Sequence, residues 1–273
     1  MATQKRNLGC NLGAYGRDGW ENSLRAIAEA GFTCTFTGYG PVGDTPAYKQ
    51  VEVYTRSAQA LGLVHESVHA AFNGINQIWL PGDEGEFQTT RLIETVDACA
   101  DGGVSIVVCH LSSGNKAPGV TDLGASRFDR VVERAGEKGI KIAFENQRKL
   151  ANMAFVMERY QDLPQVGFCW DMGHEFCFAG GMDFLTLFGK RTLCTHLHDN
   201  DALPDGDLHR IPFDASLDIP QRMRTLKATG YTGTLMLEVH GGVNPMYADL
   251  DAAAFYRRAY AACERMRVLL DGE

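Results

Sequence analysis

Four apolar stretches of the sequence each end in a side chain that can bind a metal ion. These side chains are Glu145, Asp171, His196 and Glu238. Three carboxylates and one imidazole form a ligand set that suits Mn²⁺, Mg²⁺, Co²⁺ or Zn²⁺. The residue types therefore predict one divalent metal ion, without choosing among these four.

Further polar side chains stand at or just after the ends of apolar stretches. Two earlier stretches end at His69 and His110, which we expect to contact a substrate or a second metal ion. Asn146 and His174 follow two of the metal-ligating positions, although Asn146 could instead cap the next helix. By contrast, His65 and His240 are expected to be hydrogen-bonded core residues.

The segment Cys194–Arg210, which reads CTHLHDNDALPDGDLHR, holds three of the eight histidines of the chain and four aspartates. A solvated loop would explain the aspartates but not the histidines. We expect His196 to be an inward-facing residue of a strand, and His198 to point to the same side of that strand. The surplus residues Asp201 and Asp205 are expected to be solvated charges or turn formers.

The elements that must position these residues alternate regularly along the chain. The expected strands cover residues 8–12, 32–36, 63–69, 104–110, 140–145, 165–171, 192–198 and 234–239. The expected helices lie near residues 20–30, 47–61, 86–101, 125–138, 150–161, 182–189, 218–229 and 247–269. Eight such units without a linker predict a single (β/α)₈ TIM barrel spanning residues 1–273. A doubly wound open sheet is the alternative, but no GxGxxG motif follows the first strand.

Strand alternation indicates which side chains face the barrel interior. In the fifth strand, Ile142 and Phe144 share one side and should pack on helices, so Glu145 should point inward. The same alternation directs Asp171, His196 and Glu238 inward. These four residues should therefore meet at the C-terminal face of the barrel, where the active sites of TIM barrels lie. Converging carboxylates repel one another and are costly to bury, and a divalent cation would relieve both effects.

Composition and charge narrow the classes of partner and compartment. The formal net charge of −8 disfavours broad nucleic-acid binding, which needs clustered Lys and Arg. There is no apolar run long enough for a membrane span and no apolar N-terminal region typical of a signal peptide. The eight cysteines are scattered without a CxxC pair, which suits reduced thiols. These features predict a cytoplasmic protein that does not bind membrane, and they make nucleic-acid binding unlikely.

Several motifs together resemble the xylose-isomerase-like TIM-barrel superfamily. They are FEN at 144–146, DMGH at 171–174, HLHDN at 196–200, DLH at 207–209, LMLEVH at 235–240 and ESVHAAFNGINQIW at 66–79. This group contains sugar phosphate isomerases and epimerases, hydroxypyruvate isomerase, ketose 3-epimerases, inosose-processing enzymes and endonuclease IV. The motifs are specific for the superfamily but not for a substrate.

The resemblance implies roles for individual residues. The metal would be held by Glu145, Asp171, His196 and Glu238, with the two glutamates also acting as the catalytic acid and base. His174 would contact a substrate oxygen beside the metal, and His209 or Arg210 would reach distant hydroxyls or a phosphate.

The activity implied is isomerisation or epimerisation of a sugar, a sugar phosphate or an inositol derivative through an enediolate. Phe72 and Trp79 are candidates to line a sugar ring or a subunit contact. A homodimer or homotetramer is also expected.

Endonuclease IV offers a different functional prediction. Its nine-ligand, three-zinc pattern has counterparts here at His69, His110, Glu145, Asp171, His174, His196, Asp207, His209 and Glu238. The candidates for additional zinc ions are His69, His110, His174, Asp207 and His209. However, the nuclease motif HLND followed by Lys is HLHDND here, and the loops TGYGPVGD and NGINQIWLPGDEGE are poor in Lys and Arg. The isomerase or epimerase branch is therefore favoured over the nuclease, over a metal-dependent lyase or dehydratase, and over a non-catalytic sugar-binding barrel.

Overall fold

Eight strands alternate with helices along the chain. The computed structural model describes residues 5–17 and 19–272; the other residues of the expected domain, 1–4, 18 and 273, lie outside the described residues. The strands are β1 Leu8–Asn11, β2 Cys34–Gly38, β3 Val64–His69, β4 Ile106–His110, β5 Lys141–Glu145, β6 Val166–Asp171, β7 Thr192–His196 and β8 Leu235–Leu237. The α-helices are α1 Trp20–Ala30, α2 Ala47–Ala60, α3 Asp83–Gly102, α4 Asp122–Lys138, α5 Leu150–Arg159, α6 Met172–Cys177, α7 Phe184–Phe188, α8 Ile219–Ala228 and α9 Ala252–Asp271.

The strand order identifies the fold. The strands form one sheet in the order β7-β6-β5-β4-β3-β2-β1-β8. The pairs β1–β2, β1–β8, β3–β4, β4–β5 and β5–β6 are parallel. The two ends of this order also meet, because Leu197, just after β7, forms a parallel bridge with Leu237 of β8. The fold is a (β/α)₈ TIM barrel, as the alternation predicted, and the open doubly wound sheet is excluded.

The chain divides into two compact units. The first contains the described residues of Met1–Phe36, Ser57–His65 and Trp170–Glu273, and the second contains Thr37–Arg56 and Glu66–Cys169. In the first unit, β1 lies between β2 and β8, with Gly9 opposite both Cys34 and Met236. A Cβ at Gly9 would lie 2.5 Å from the Met236 sulfur, so the apolar cluster of Cys34, Phe36 and Met236 needs glycine at this position.

In the second unit, the register of β5 confirms the predicted direction of its side chains. Glu145 lies opposite Cys169 of β6, and Phe144 lies opposite Phe168. The Phe144 ring contacts Phe128 of α4 at 5.7 Å in an edge arrangement, so it faces a helix as expected. Complete burial of such a phenylalanine stabilises the fold by about 1.5–3 kcal/mol, and this burial leaves Glu145 on the opposite side of the strand.

The expected strands and long helices are found within a few residues of their predicted bounds, and one helix was missed. This helix, α6, has only six residues and begins immediately after β6, so it shows no amphipathic period. Its start is set by Asp171, whose Oδ1 accepts the backbone N–H of His174 at 2.6 Å. Among the described helices, none combines the length and the apolar character that crossing a membrane requires.

Candidate functional site

Asp171 is the last residue of β6 and is fully buried in the first unit. Besides capping α6, its Oδ1 lies 3.1 Å from Nε2 of His198. Nδ1 of His174 is 3.7 Å from the other carboxylate oxygen. The position predicted as a metal ligand is therefore surrounded by hydrogen-bond donors and imidazoles.

His196 and Glu238 lie beside each other in the same unit. His196 ends β7, is fully buried, and stacks on the Phe36 ring with 4.4 Å between centroids. Its Nδ1 is 3.3 Å from Oε2 of Glu238, which directly follows β8. The ring orientation of His196 is thus fixed by Phe36 on one face and by the Glu238 carboxylate at its edge.

Asp207 brings three histidines together around one carboxylate. Its Oδ2 lies 3.1 Å from Nε2 of His209 and 3.3 Å from Nε2 of His174. Its Oδ1 lies 3.6 Å from Nε2 of His198. One ligand atom from each of these four residues lies within 4.8 Å of the others, a spacing at which they could hold a metal ion. Three of the four were predicted as site residues; His198 was not, although its shared strand face with His196 pointed to it.

The protonation of His209 is set by its surroundings. Its Nδ1 lies 2.9 Å from the carbonyl oxygen of Glu238, which can only accept, so Nδ1 carries the hydrogen. In a neutral ring, Nε2 would then be an acceptor facing the Asp207 carboxylate, and this contact requires a cation. Burial lowers the pKa of His209, but Asp207 and Glu238 outweigh it and raise the pKa to about 9. Either a proton or a metal ion can fill this role.

His240 was expected to be a hydrogen-bonded core residue, but it is only half-buried. Its ring stacks on His209 with 4.2 Å between centroids. Burial, together with His209, lowers the pKa of His240 to about 4. The ring is therefore neutral near pH 7 and supports His209 by packing. His65 is buried, at 4% exposure.

The segment after His198 is organised by a residue that the sequence analysis did not single out. The buried carboxylate of Asp199 accepts backbone N–H groups from Phe213, Ala215 and Leu217, each at 3.0 Å. Burial raises the pKa of Asp199, although these three N–H groups lower it. The sequence carried no sign of this role, because the three partners are 14 to 18 positions away.

Arg210 and Asp201 form a pair that differs from the sequence expectation for Asp201. The Arg210 guanidinium lies 3.0 and 3.1 Å from the two carboxylate oxygens of Asp201. Asp201 is therefore not a simple solvated charge, since it is held by a cation of the same loop. Asp205 adopts a left-handed backbone with φ of 58°, as expected for a turn former.

In the second unit, His69, His110 and Glu145 form a buried group. Oε2 of Glu145 lies 2.5 Å from Nε2 of His110 and 3.3 Å from Nε2 of His69. Nδ1 of His69 lies 2.8 Å from the Ala70 carbonyl, so it carries the hydrogen and leaves Nε2 as an acceptor. Nε2 of His69 and Oε2 of Glu145 are then two acceptors that face each other, and a cation would satisfy both.

Residues next to this group refine the sequence predictions. Gln147 was not singled out, yet its Nε2 lies 3.2 Å from Nε2 of His110. Asn146 is buried but does not cap α5, whose N-cap is Lys149. Phe72 stacks on His110 at 4.4 Å and remains 41% exposed, so it can line a ligand.

The expectation for Trp79 was wrong. Trp79 is 1% exposed, donates its indole N–H to the Leu111 carbonyl at 2.6 Å and packs on Phe128. It is therefore a core residue that cannot line a ligand or a subunit contact.

A cavity of about 590 Å³ in the second unit lies among α2, α3 and the segment after β2. It is lined by aromatic residues such as Tyr48 and Phe87 and by carboxylates such as Asp97. Asp97 is already paired with Arg134 at 2.8 Å. The lining of this cavity includes none of the predicted site residues. The candidate site is therefore identified by converging imidazoles and carboxylates, and not by the size of a cavity.

Sequence comparison places this architecture among known proteins. The Xylose isomerase-like TIM barrel family matches residues 24–259. A protein of Sinorhizobium fredii, described as the uncharacterized protein y4fM, is 29% identical over 294 residues, which cover 93% of this chain and 90% of that protein.

Similar solved structures share the fold at low sequence identity. D-psicose 3-epimerase with D-tagatose, from Clostridium cellulolyticum H10, is 12% identical with a TM-score of 0.74, over 97% of this chain and 99% of that one. The IOLI protein with a binding zinc atom is 17% identical with a TM-score of 0.74, over 97% and 98% of the two chains. A fusion of a xylose isomerase-like TIM barrel with 4-hydroxyphenylpyruvate dioxygenase is 18% identical with a TM-score of 0.74, over 98% of this chain but only 44% of that protein. These structural matches show a shared fold, and because the family match covers most of the sequence, the chain belongs to the xylose isomerase-like TIM barrel family.

Proposed function

We propose that the protein is a divalent-metal-dependent isomerase or epimerase of a sugar, a sugar phosphate or an inositol derivative. The observation that carries this proposal is the position of four potential ligands at consecutive strand ends. Glu145, Asp171 and His196 end β5, β6 and β7, and Glu238 directly follows β8. In a TIM barrel these ends converge on the face that carries the active site.

The chemistry of this ligand set fits a divalent cation. Glu145 and Asp171 are at most 1% exposed and His196 is fully buried, so unneutralised charges there would be costly. Carboxylate and imidazole ligands suit Mn²⁺, Mg²⁺, Co²⁺ or Zn²⁺. The zinc in the structurally similar IOLI protein supports this assignment without deciding the metal.

The two glutamates are proposed as the proton-transfer pair. A bound cation would make the substrate proton beside the carbonyl more acidic by withdrawing electron density from the oxygens. One carboxylate takes that proton, leaving an enediolate. Return of a proton to the same carbon from the opposite face gives epimerisation, whereas return to the neighbouring carbon gives isomerisation.

Neighbouring histidines hold each glutamate in place for this task. His110 and His69 contact Oε2 of Glu145, and His196 contacts Oε2 of Glu238. Such fixed orientation is what general acid–base catalysis requires. Asn146 and Arg210 are proposed to contact substrate hydroxyls, and His69, His110, His174 and His209 to contact either the substrate or an additional metal ion.

A small-molecule sugar is the proposed substrate, and the epimerase among the similar structures supports this class. We also propose a cytoplasmic location, supported by eight buried cysteines that form no disulfide with one another. A homodimer or homotetramer stays a prediction.

An abasic-site endonuclease is the second candidate. The observation that favours it is the presence of two histidine groups, His69 and His110 around Glu145 and a second group around Asp207. These match the multi-zinc ligand pattern, whereas the isomerase proposal needs one metal ion.

Solvent exchange distinguishes the two candidates. The metal content of protein purified without chelator is measured first, and the protein is then incubated in D₂O with free and phosphorylated ketoses and inositol-derived ketones. We expect deuterium to enter the carbon beside the carbonyl of at least one substrate. Glu145→Gln and Glu238→Gln should lower this exchange by about 10²–10⁴-fold, while Glu133→Gln, on the exposed face of α4, should not.

Absence of exchange with every substrate, together with cleavage of an abasic duplex by the zinc-loaded protein, would replace the isomerase proposal with the nuclease. Absence of any bound metal after addition of Mn²⁺ would contradict both.

A further inference from the structure

We propose that His198 completes a closed, four-ligand zinc site with His174, Asp207 and His209, and that this site has a structural role. Three of these residues match the multi-zinc ligand pattern described above, but His198 lies outside that pattern. As a fourth protein ligand, His198 would close the site. This structural role goes beyond the proposed isomerase activity and does not depend on it.

The four side chains converge on one small volume within the first unit. Their ligand atoms lie within 4.8 Å of one another. His174, His198 and His209 are 8% exposed or less. The Nε2 atoms of all three face the carboxylate of Asp207, at 3.1 to 3.6 Å. Four donors at such spacing can surround one ion tetrahedrally.

The hydrogen-bond state of these atoms points to a cation. Oδ1 of Asp207 and Nδ1 of His198 are buried and find no hydrogen-bond partner among the described residues. His209 donates through Nδ1 to the Glu238 carbonyl, which directs its Nε2 atom at Asp207, a contact that needs either a proton or a metal ion. In metal sites, a hydrogen bond that the second ring nitrogen donates orients the histidine ligand in this way.

The ring of His198 occupies a position shaped to receive it. On one side it stacks on His209 with 4.0 Å between centroids and 16° between planes. On the other side lies Gly173, where a Cβ would approach Cε1 of His198 to 1.9 Å. The Gly173 carbonyl is in turn held by the Asn200 amide at 2.9 Å. The imidazole is therefore wedged between a ring and a backbone that lacks a side chain.

The number and type of donors predict both the metal and its role. Three imidazoles and one carboxylate favour Zn²⁺ over Mg²⁺ or Mn²⁺. Sites with four protein ligands are typically structural, because catalytic zinc sites keep one position open for water or substrate. His198 would occupy that open position. The ligand set of the proposed active site, with three carboxylates, should exchange its metal more freely.

The segment that this zinc would anchor has unusual backbone strain. Among the described residues, every non-glycine residue with positive φ lies in it: Ala202, Asp205, His209 and Phe213. Such conformations cost free energy and persist where surrounding contacts enforce them. A zinc ion bound to Asp207 and His209 of this loop, and to His174 of α6, would supply such a contact.

Metal retention tests the proposal on the full chain. Purified protein is loaded with Zn²⁺, dialysed against a chelator that removes exchangeable metal, and analysed for zinc. We expect about one zinc per chain to remain. His198→Asn should weaken its retention by more than about tenfold, lower the melting temperature and speed proteolysis between residues 199 and 217. The control His240→Asn changes the next ring of the same stack, outside the donor group, and should retain the zinc.

Cobalt reports the geometry directly. Co²⁺ in the retained site should show the intense visible bands of tetrahedral coordination, and His198→Asn should replace them with weak bands. A Glu145→Gln chain should keep both the zinc and the bands, which separates this site from the proposed active site. Loss of all metal from the wild type on dialysis would overturn the proposal. So would unchanged zinc and unchanged bands in His198→Asn, since His198 would then only position Asp171 through their 3.1 Å contact.

Discussion

The absence of a side chain at Gly173 sets where the His198 ring can lie. Gly173 stands in the first turn of α6, two positions after Asp171 and one before His174, and the His198 ring fills the space of its missing Cβ. At the residue scale, one glycine thus links the start of a helix to the position of an imidazole 25 positions later.

We expect Gly173→Ala to lower the free energy of unfolding by about 1–3 kcal/mol, because the new methyl group must displace the ring or the helix. Urea unfolding measures the change. The matched control is Gly136→Ala in α4, where the nearest atom to a new Cβ is the flexible Gln165 amide at 3.2 Å. This control should be neutral or stabilising by up to about 1 kcal/mol. Equal effects of the two changes would show that the His198 ring yields without cost.

At the scale of elements, one buried arginine fixes the connection between β3 and α3. Arg127 of α4 is 3% exposed and donates to the carbonyls of Ile78, Leu80 and Gly82 at 3.0, 2.7 and 3.1 Å. Ile78 and Leu80 lie within and just after the 3₁₀ helix Ile75–Trp79. The Gly82 carbonyl, at the start of α3, also accepts the backbone N–H of Gly85 at 3.3 Å. The rigid guanidinium can reach all three carbonyls at once, which the single ammonium group of lysine cannot do.

Arg127→Lys should therefore lower the free energy of unfolding by about 1–3 kcal/mol, because buried carbonyl groups lose their donors. Thermal or urea unfolding provides the measurement. Arg130→Lys, three positions along the same helix, changes a half-exposed arginine paired with Glu86 at 2.6 Å. That exposed pair should contribute little to stability, because solvent screens it. A smaller loss at position 127 than at position 130 would contradict this account of the connection.

At the scale of the whole molecule, ion pairs link the beginning and the end of the described chain. Lys5 lies 2.9 Å from Glu264 and Arg6 lies 2.8 Å from Asp271, both on α9. Hydrogen bonds from Arg267 lower the pKa of Glu264, burial opposes this, and Lys5 adds to it, so the pKa falls from 4.5 to about 2. A carboxyl group with a lowered folded-state pKa stabilises the fold above its unfolded pKa of 4.5. This stabilisation is lost as the pH falls towards 2.

Glu264→Gln should reduce the free energy of unfolding at pH 7 by up to about 1 kcal/mol, because the pair is partly exposed to solvent. The difference from the wild type should shrink between pH 4.5 and pH 2, where the native carboxyl group also becomes neutral. Urea unfolding at pH 7, 4 and 2 measures it, with the exposed Glu133→Gln as the control. A difference that stayed constant with pH would mean that packing, rather than charge, is altered at position 264.

The sequence by itself determined the class of fold and the identity of the strand-end residues. Alternation of short apolar runs with amphipathic segments sufficed for the TIM barrel, since period 2 and period 3.6 patterns are local. The same alternation directed Phe144 towards a helix and assigned Glu145 to the other side. It also placed His198 on the same strand face as His196, without indicating a function for His198.

Only the tertiary structure decided how these residues meet. Three features depend on contacts between distant positions. They are the backbone N–H groups that donate to the Asp199 carboxylate, the packing of His198 against Gly173 and the burial of Trp79. No local period encodes such contacts, because they arise when loops without repeating structure pack against the strand ends. Side-chain direction follows from the local backbone, whereas the distance between two side chains of different loops follows from the packing of the whole fold.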